Sequence, residues 1–184
     1  MDKNYDMSKL HVYLDRTKQA FEDFKELAKD KVLESKNSKL ELANNGLIIS
    51  CKTLEQLKKD YNIDIENCKI TYVRLANEDI LDSPEKSIPI KPEYIVSACN
   101  HSYTVKKPIL IQGIERLAAH GAATTAIDFL YILSEKFCTN LETPILVPMN
   151  KSFYINEGLE MYLKEYVKEH KSLLERIWDK IRGQ

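Results

Sequence analysis

The sequence predicts a single α+β domain over residues 1–184, with long N- and C-terminal helices around a buried central pair of helices. Three observations predict this fold. Residues 7–35 and 157–182 show amphipathic helical spacing, the second half of the central stretch 108–137 leaves almost no polar helical face over 127–133, and residues 39–105 hold short segments rich in β-branched residues. The short segments predict a small, mostly antiparallel sheet on one side of the helices. A length of 184 residues suits one domain with a core of its own.

The N-terminal helix rests on an apolar stripe at Leu10, Leu14, Phe21, Phe24 and Ala28. The stripe fits a helix that lies on its own domain, because only about three heptads are present. A coiled-coil seam is the alternative, and it leaves open a homo-oligomer formed through the long terminal helices.

The next segment carries turn and capping signals. Asn-Gly at 45–46 stands between two short apolar runs and predicts a β-hairpin. Thr53 then opens a short helix in which Gln56, three residues on, completes a capping box, and Asn62 ends the helix in a left-handed conformation. Residues 68–75 alternate and predict a strand.

The segment 76–92 carries three prolines and several acids, and its acidic part, residues 77–87, predicts an exposed loop and a contact surface. The residues beyond it favour strands around Asn100, although a helix that starts at Pro92 competes over 92–99. Tyrosine is favoured at protein interfaces because it brings a large contact area with few torsions. The predicted partner-binding residues are therefore the acids of the loop and two neighbouring tyrosines: Glu78, Asp79, Asp82, Glu85, Tyr94 and Tyr103.

The central stretch starts at Pro108, which suits the first position of a helix. Gly121 is predicted to end the first helix of the pair, and Thr124 or Thr125 to cap the second. Residues 143–155 predict a last hairpin or only an extended edge strand, because Pro148 removes a ladder donor.

Composition limits the function classes. The net charge of −1 argues against a broadly basic, nucleic-acid-binding surface. The four cysteines form no C-x-x-C pair, the four histidines have no i, i+4 partner, and no metal or cofactor is predicted. No apolar run is long enough to span a bilayer, so no membrane partner is expected. The thiols predict a cytoplasmic protein, with leaderless export or delivery to a host cell as alternatives.

Two groups of residues are candidates for catalytic chemistry. Cys99 and His101 are two residues apart, and in an extended strand they would point the same way, as a nucleophile and its base require. His120 lies in the small-residue run 118–123, which either lines a pocket or packs tightly in the core. A buried cysteine and a capping histidine are the simpler interpretations.

Residues 114–133 read as a helix, a tight glycine turn and a second helix. This arrangement resembles the opening helices of winged-helix regulators, with residues 143–155 in the place of a wing. The resemblance covers about 45 residues. Against it, residues 137–142 are too short for a recognition helix, and the second helix carries Asp128 and Glu135 in place of basic residues.

These features favour a non-enzymatic protein–protein interaction protein, such as an inhibitor, adaptor, immunity or effector-type factor. The alternatives are a helix-turn-helix nucleic-acid binder and a small Cys/His hydrolase or transferase. The leading hypothesis rests on abundant scaffold signals and the weakness of the catalytic ones.

Overall fold

The computed structural model describes residues 6–37, 45–77, 86–101, 107–120, 123–156, 158–163 and 165–169. Within these ranges one seven-stranded sheet runs in the order β4-β3-β2-β5-β6-β1-β7. Every strand pair in it is parallel. The strands are β1 (Leu10–Leu14), β2 (Gly46–Ser50), β3 (Ile70–Ala76), β4 (Ser87–Pro89), β5 (Ile109–Ile111), β6 (Ile145–Met149) and β7 (Val167–Glu169).

Helices connect these strands and cover both faces of the sheet. They are α1 (Thr17–Asn37), α2 (Leu54–Tyr61), α3 (Pro92–His101), α4 (Glu115–His120), α5 (Ala123–Leu133), α6 (Lys151–Asn156) and α7 (Leu159–Leu163). A π-helical segment, Ser134–Thr139, continues α5.

Two separate cores show how the helices are divided between the faces. On one face, Phe21 and Phe24 of α1 and Leu57 of α2 pack on strand side chains such as Ile48 and Leu110. On the other face, residues of α3 to α7 pack on the alternate strand side chains. The strands of the sheet's centre are therefore buried on both sides, as their unbroken apolar runs require.

The order of the strands reverses beside β2. The chain moves outward from β2 to β3 and β4, returns through α3 to β5 on the other side of β2, and then moves outward to β6. Such a doubly wound, Rossmann-like α/β sheet has a crevice at its reversal point, outside the carboxyl ends of the strands.

The predicted α+β class with a mostly antiparallel sheet is wrong, because the sheet is all parallel and lies between two helical layers. The physical reason lies in the pattern of the strands. Central parallel strands do not alternate, so 109–111 and 145–149 show short apolar runs that do not distinguish a strand from a buried helix.

The predicted arrangement of long terminal helices around a central pair is also wrong. Residues 10–14 form strand β1, and α1 begins only at Thr17 and packs its stripe on the sheet. At the other end, the predicted helix 157–182 divides into α7 and strand β7, and residues 170–184 lie outside the described part. The sequence LHVYL of β1 is rich in strand-forming residues, but its two leucines also fit the helical stripe that continues into α1.

The central stretch is a helical pair preceded by a strand. Residues 109–111 form β5, and the two predicted helices are α4 and α5. Pro148 lies not at an edge but in β6, which pairs with β5 and β1. The β5–β6 pairs end at Leu146, so the ladder on that side stops before it needs an N–H from Pro148.

The short helix α2 is confirmed. Thr53 and Gln56 form the predicted capping box, and Asn62 takes the predicted left-handed conformation. The predicted strand over 68–75 is β3, and the competing helix from Pro92 is the one that forms, as α3.

The predicted hairpin turn at 45–46 is not supported by the parallel β2. Gly46 begins β2, where an added Cβ would lie 2.9 Å from the Phe24 ring, so this glycine serves a close approach. Residues 38–44, the first half of the predicted hairpin, lie outside the described part.

Candidate functional site

A crevice with a volume of about 650 Å³ opens at the carboxyl ends of β1, β2, β5 and β6, beside the reversal point. Each of these strands is followed at once by polar residues that face the crevice, while β3 adds Arg74 from the side. The lining consists of Asp15, Thr17, Cys51, Lys52, Thr53, Gln56, Arg74, Gln112, Gly113, Glu115, Arg116, Pro148, Met149 and Asn150.

The part of the crevice between β2 and β5 is tightly built. Ser50, buried at the end of β2, donates its hydroxyl proton to the side-chain oxygen Oε1 of Gln112 at 2.7 Å. The backbone N–H of Gln112 donates to the Ile49 carbonyl at 2.9 Å. Gly113 has a φ of +97°, and an ideal Cβ built on it would lie 2.4 Å from Cys51 Sγ. The two loops therefore touch, and only glycine fits at position 113 without a shift.

The opposite end of the crevice is organised by two carboxylates. Asp15, at a φ of +53°, accepts the Lys151 amide at 3.0 Å, and Glu115 accepts the Asn150 amide at 2.8 Å. Both carboxylates hold the turn between β6 and α6, so each has a structural role as well as a place on the wall.

Cations line the β2–β3 end. Lys52 donates to Asp60 at 2.6 Å and lies 5.5 Å from the centroid of the Tyr61 ring. The hydrogen bond to Asp60 raises the pKa of Lys52, which keeps the ammonium charged. Arg74 lies opposite Ser50 in the β2–β3 register. The exposed Arg116 lines the crevice next to Gly113.

The Cys51 thiol sits among these charges. Burial raises its pKa, while Arg116 and Arg74 partly oppose that rise and Glu115 adds to it. The net effect favours the neutral thiol at neutral pH, and a neutral thiol is a poor nucleophile. The arrangement is therefore better suited to hydrogen bonding and charge recognition than to thiol chemistry.

The predicted catalytic pair does not form in the predicted way. Cys99 is 1% exposed on α3, and burial raises the pKa of its thiol to about 12. His101 is the last residue of the same helix, so the strand geometry assumed for the pair is wrong, and the His101 side chain lies outside the described part. His120 ends α4, and its side chain lies outside the described part.

The predicted partner surface is only partly described. Glu78, Asp79, Asp82 and Glu85 fall in 78–85, and Tyr103 falls in 102–106, both outside the described residues. Tyr94 is on α3 and is 45% exposed. Its role in binding a partner stays a prediction.

The crevice was not predicted, because the strands that build it were assigned to helices or to a hairpin. The signal was present nonetheless. Four buried strands are each followed at once by a polar residue, namely Asp15, Cys51, Gln112 and Asn150. In a parallel sheet such positions converge at one edge.

Across the described ranges, no three or more His, Cys, Asp or Glu side chains are grouped so that they could hold a metal ion. Likewise, none of the described helices is both long and apolar enough to cross a membrane.

Comparison with known proteins supports the fold and gives no information on the function. No model of a known protein family matches the chain, and no curated protein matches it. The chain is similar to a solved structure described as "Structural study of Project ID PH0250 from Pyrococcus horikoshii OT3". The TM-score is 0.52 at 11% identity, over 92% of this chain and 85% of that one. At this identity the likeness supports the α/β fold alone.

Proposed function

We propose that this protein binds a small polar molecule in the crevice at the carboxyl ends of β1, β2, β5 and β6. The observation that carries the proposal is the coincidence of three features at one place. The strand order reverses there, the cavity measures about 650 Å³, and charged and amide side chains from five strands and their loops converge on it.

The stiffness of the crevice supports this function. Gln112 is held by Ser50, and Gly113 packs directly on Cys51. At the other end, Asp15 and Glu115 fix the backbone of the β6–α6 turn. A site whose walls are fixed before binding loses less entropy when the ligand arrives.

A thermal-shift panel tests the proposal. AMP, adenosine, ribose 5-phosphate, citrate, glutamate and inorganic phosphate are each added at rising concentration, and the unfolding midpoint is recorded. A ligand at about a hundred times its Kd stabilises the folded state by about 2.7 kcal/mol. For a chain of this length, that corresponds to a rise of about 5 to 10 °C.

A charge-reversal pair locates the binding. Arg116→Glu changes an exposed residue of the crevice wall, and Lys59→Glu makes the same change at an exposed position of α2 outside the lining. We expect Arg116→Glu to abolish the rise in midpoint and Lys59→Glu to retain it. No rise with any compound, or equal loss in both variants, would contradict the proposal.

A protein–protein interaction is the second candidate, and exposed apolar side chains favour it. Met161 is 79% exposed and Tyr162 63% exposed on α7, and Ile155 of α6 and Tyr131 and Ile132 of α5 are also exposed. Exposed apolar groups that cluster are typical of contact surfaces. The partner would be another protein or a second copy of this chain. A second copy would not bind through the apolar stripe of α1, because that stripe packs on the chain's own sheet.

Light scattering of the purified chain, with Met161→Glu/Tyr162→Glu as the variant and Tyr94→Glu as the comparison, tests this candidate. A mass above the monomer that falls only in the α7 variant supports self-association through that surface. A monomeric wild-type chain at high concentration removes the second-copy version.

We also propose that the protein is cytoplasmic, because its four cysteines are all free thiols: Cys51, Cys68, Cys99 and Cys138. Fractionation of the source cells with a tagged chain tests this. Recovery in the medium or in an oxidising compartment would contradict it.

A further inference from the structure

The charges of the crevice are not evenly distributed across the sheet. In the order β3-β2-β5-β6-β1, the cations Arg74 and Lys52 stand at the β3–β2 end. Asp15 stands at the β1 end, and Glu115 reaches toward the same end by accepting the Asn150 amide. Arg116 lies between, beside Gly113.

The two ends are far enough apart to act on different parts of one ligand. Four strand intervals separate β3 from β1. At about 4.8 Å per interval, they correspond to roughly 19 Å across the sheet. A small ion at one end is therefore beyond the reach of the side chains at the other end.

The cationic end is suited to an oxyanion. Guanidinium groups bind phosphate and carboxylate oxygens through paired N–H donors, and Arg74 at this end and Arg116 next to it both line the crevice. Both guanidinium groups lower the pKa of Cys51 against the effect of burial, so their fields overlap at that thiol. The capping box already engages the backbone N–H groups of Thr53 and Gln56. The guanidinium groups therefore carry the recognition of the oxyanion.

The acidic end is suited to hydrogen-bond donors. Asp15 Oδ1 accepts the Lys151 amide, and a carboxylate has about four lone-pair positions, so Asp15 retains acceptor capacity toward the crevice. Asn150 adds an amide side chain beside it, whose Oδ1 accepts from Ser152. Hydroxyl or amino groups of a ligand fit this end.

We infer that the ligand is an elongated organic oxyanion. Its phosphate or carboxylate lies between Arg74 and Arg116, and its hydroxyl or amino groups lie at Asp15. The inference rests on the proposed function, since it assigns the chemistry of the same crevice. It concerns the orientation and class of the ligand, which the proposed function leaves open.

Calorimetric titration with three probes tests the orientation. AMP carries both kinds of group, adenosine lacks the oxyanion, and inorganic phosphate lacks the donors. We expect AMP to bind at least tenfold more tightly than either part. Adenosine 5′-carboxylate replaces AMP in a fourth titration and distinguishes a phosphate site from a carboxylate site.

Two variants should give a crossed pattern. Arg74→Gln removes the fork at one end, so AMP and phosphate should bind at least tenfold more weakly while adenosine is unchanged. Asp15→Asn keeps the acceptor for Lys151 and tolerates the left-handed φ, but it presents an N–H donor to the ligand. AMP and adenosine should then bind about fivefold more weakly while phosphate is unchanged.

Further variants guard against trivial effects. Arg74→Lys keeps the charge without the fork, so it should bind AMP with intermediate affinity, and it replaces Arg74→Gln if that variant fails to fold. Lys59→Gln loses one cation outside the crevice and should match the wild type.

The outcomes separate the two proposals. Equal affinity for AMP and adenosine, or a loss of adenosine binding in Arg74→Gln, overturns the inference and leaves the crevice as the binding site. Absence of binding by all four probes also overturns it. A thermal-shift panel without any hit is the result that rejects the proposed function itself.

Discussion

The contact between Gly113 and Cys51 provides the most quantitative prediction, because two separable costs meet at one residue. An alanine at position 113 has to adopt a φ of +97° and has to place its Cβ 2.4 Å from Cys51 Sγ. A positive φ costs a residue with a Cβ about 1 to 2 kcal/mol. Relief of such an overlap costs about 1 to 3 kcal/mol more. We therefore expect Gly113→Ala to lower the free energy of unfolding by about 2 to 5 kcal/mol.

A double-mutant cycle separates the two costs. Cys51→Ala removes the sulfur and leaves Cys51 Cβ, which is 3.6 Å from the position of the new methyl group, an ordinary contact. Alone it should cost about 1 kcal/mol, as a typical substitution does. The double variant should be more stable than the sum of the single variants by about 1 to 3 kcal/mol, because the overlap is gone.

Gly158→Ala is the matched control for backbone strain. Gly158 has a φ of +67°, but the atoms nearest to its added Cβ, in Tyr162 and Met161, lie at 3.8 and 3.9 Å. This variant should show only the strain, about 1 to 2 kcal/mol. Equilibrium urea unfolding measures all four variants. Additive effects of Gly113→Ala and Cys51→Ala would show that the loops do not touch as described.

Three further predictions concern buried groups. Burial lowers the pKa of His11, so the unfolded chain binds a proton at this residue more readily than the folded chain does. The free energy of unfolding should therefore fall by up to about 1.4 kcal/mol per pH unit as the pH drops below about 6.5. His11→Gln should remove this slope in urea titrations at several pH values. With its pKa raised to about 12, Cys99 should not react with Ellman's reagent in the native protein. Native Cys99→Ser should therefore show the same number of reactive thiols as the wild type, and a lower number would refute the prediction. The hydroxyl of Tyr13 donates to buried Asp23 at 2.8 Å, so Tyr13→Phe should lower the free energy of unfolding by about 1 to 3 kcal/mol. The same change at the exposed Tyr94 should lower it by less than about 0.5 kcal/mol, and equal costs would contradict the buried hydrogen bond.

The elements with local signals were predictable from the sequence. The helix α2 starts at a capping box, in which the Thr53 and Gln56 side chains each bond the other residue's backbone, and it ends at Asn62, whose left-handed backbone donates its N–H to the Lys58 carbonyl. The strand β3 shows a partial alternation because some of its residues, such as Thr71 and Arg74, are only half-buried. Local chemistry of this kind does not depend on the rest of the fold.

The sheet and its crevice were not predicted, because they depend on long-range pairing. The run 145–149 is apolar throughout and carries a proline, which indicates an edge unless the neighbouring strand is known to stop early, as β5 does. Once β1, β5 and β6 are known to be parallel strands, Asp15, Gln112 and Asn150 follow as site residues from their positions alone. The same information changes Cys99 from a strand residue beside a histidine to a core residue of α3.

A ligand bound in the crevice would cover Cys51, so this thiol reports directly on binding there. In a Cys68→Ser variant the buried Cys99 and Cys138 remain protected, so iodoacetamide at an alkaline pH, which converts part of the Cys51 thiol to thiolate in spite of its raised pKa, modifies Cys51 slowly. The rate of this modification is measured by mass spectrometry with and without AMP, or with the panel compound that raises the unfolding midpoint most. We predict that the compound slows the modification in proportion to its occupancy. An unchanged rate at a concentration that stabilises the protein would place the ligand elsewhere and contradict the account.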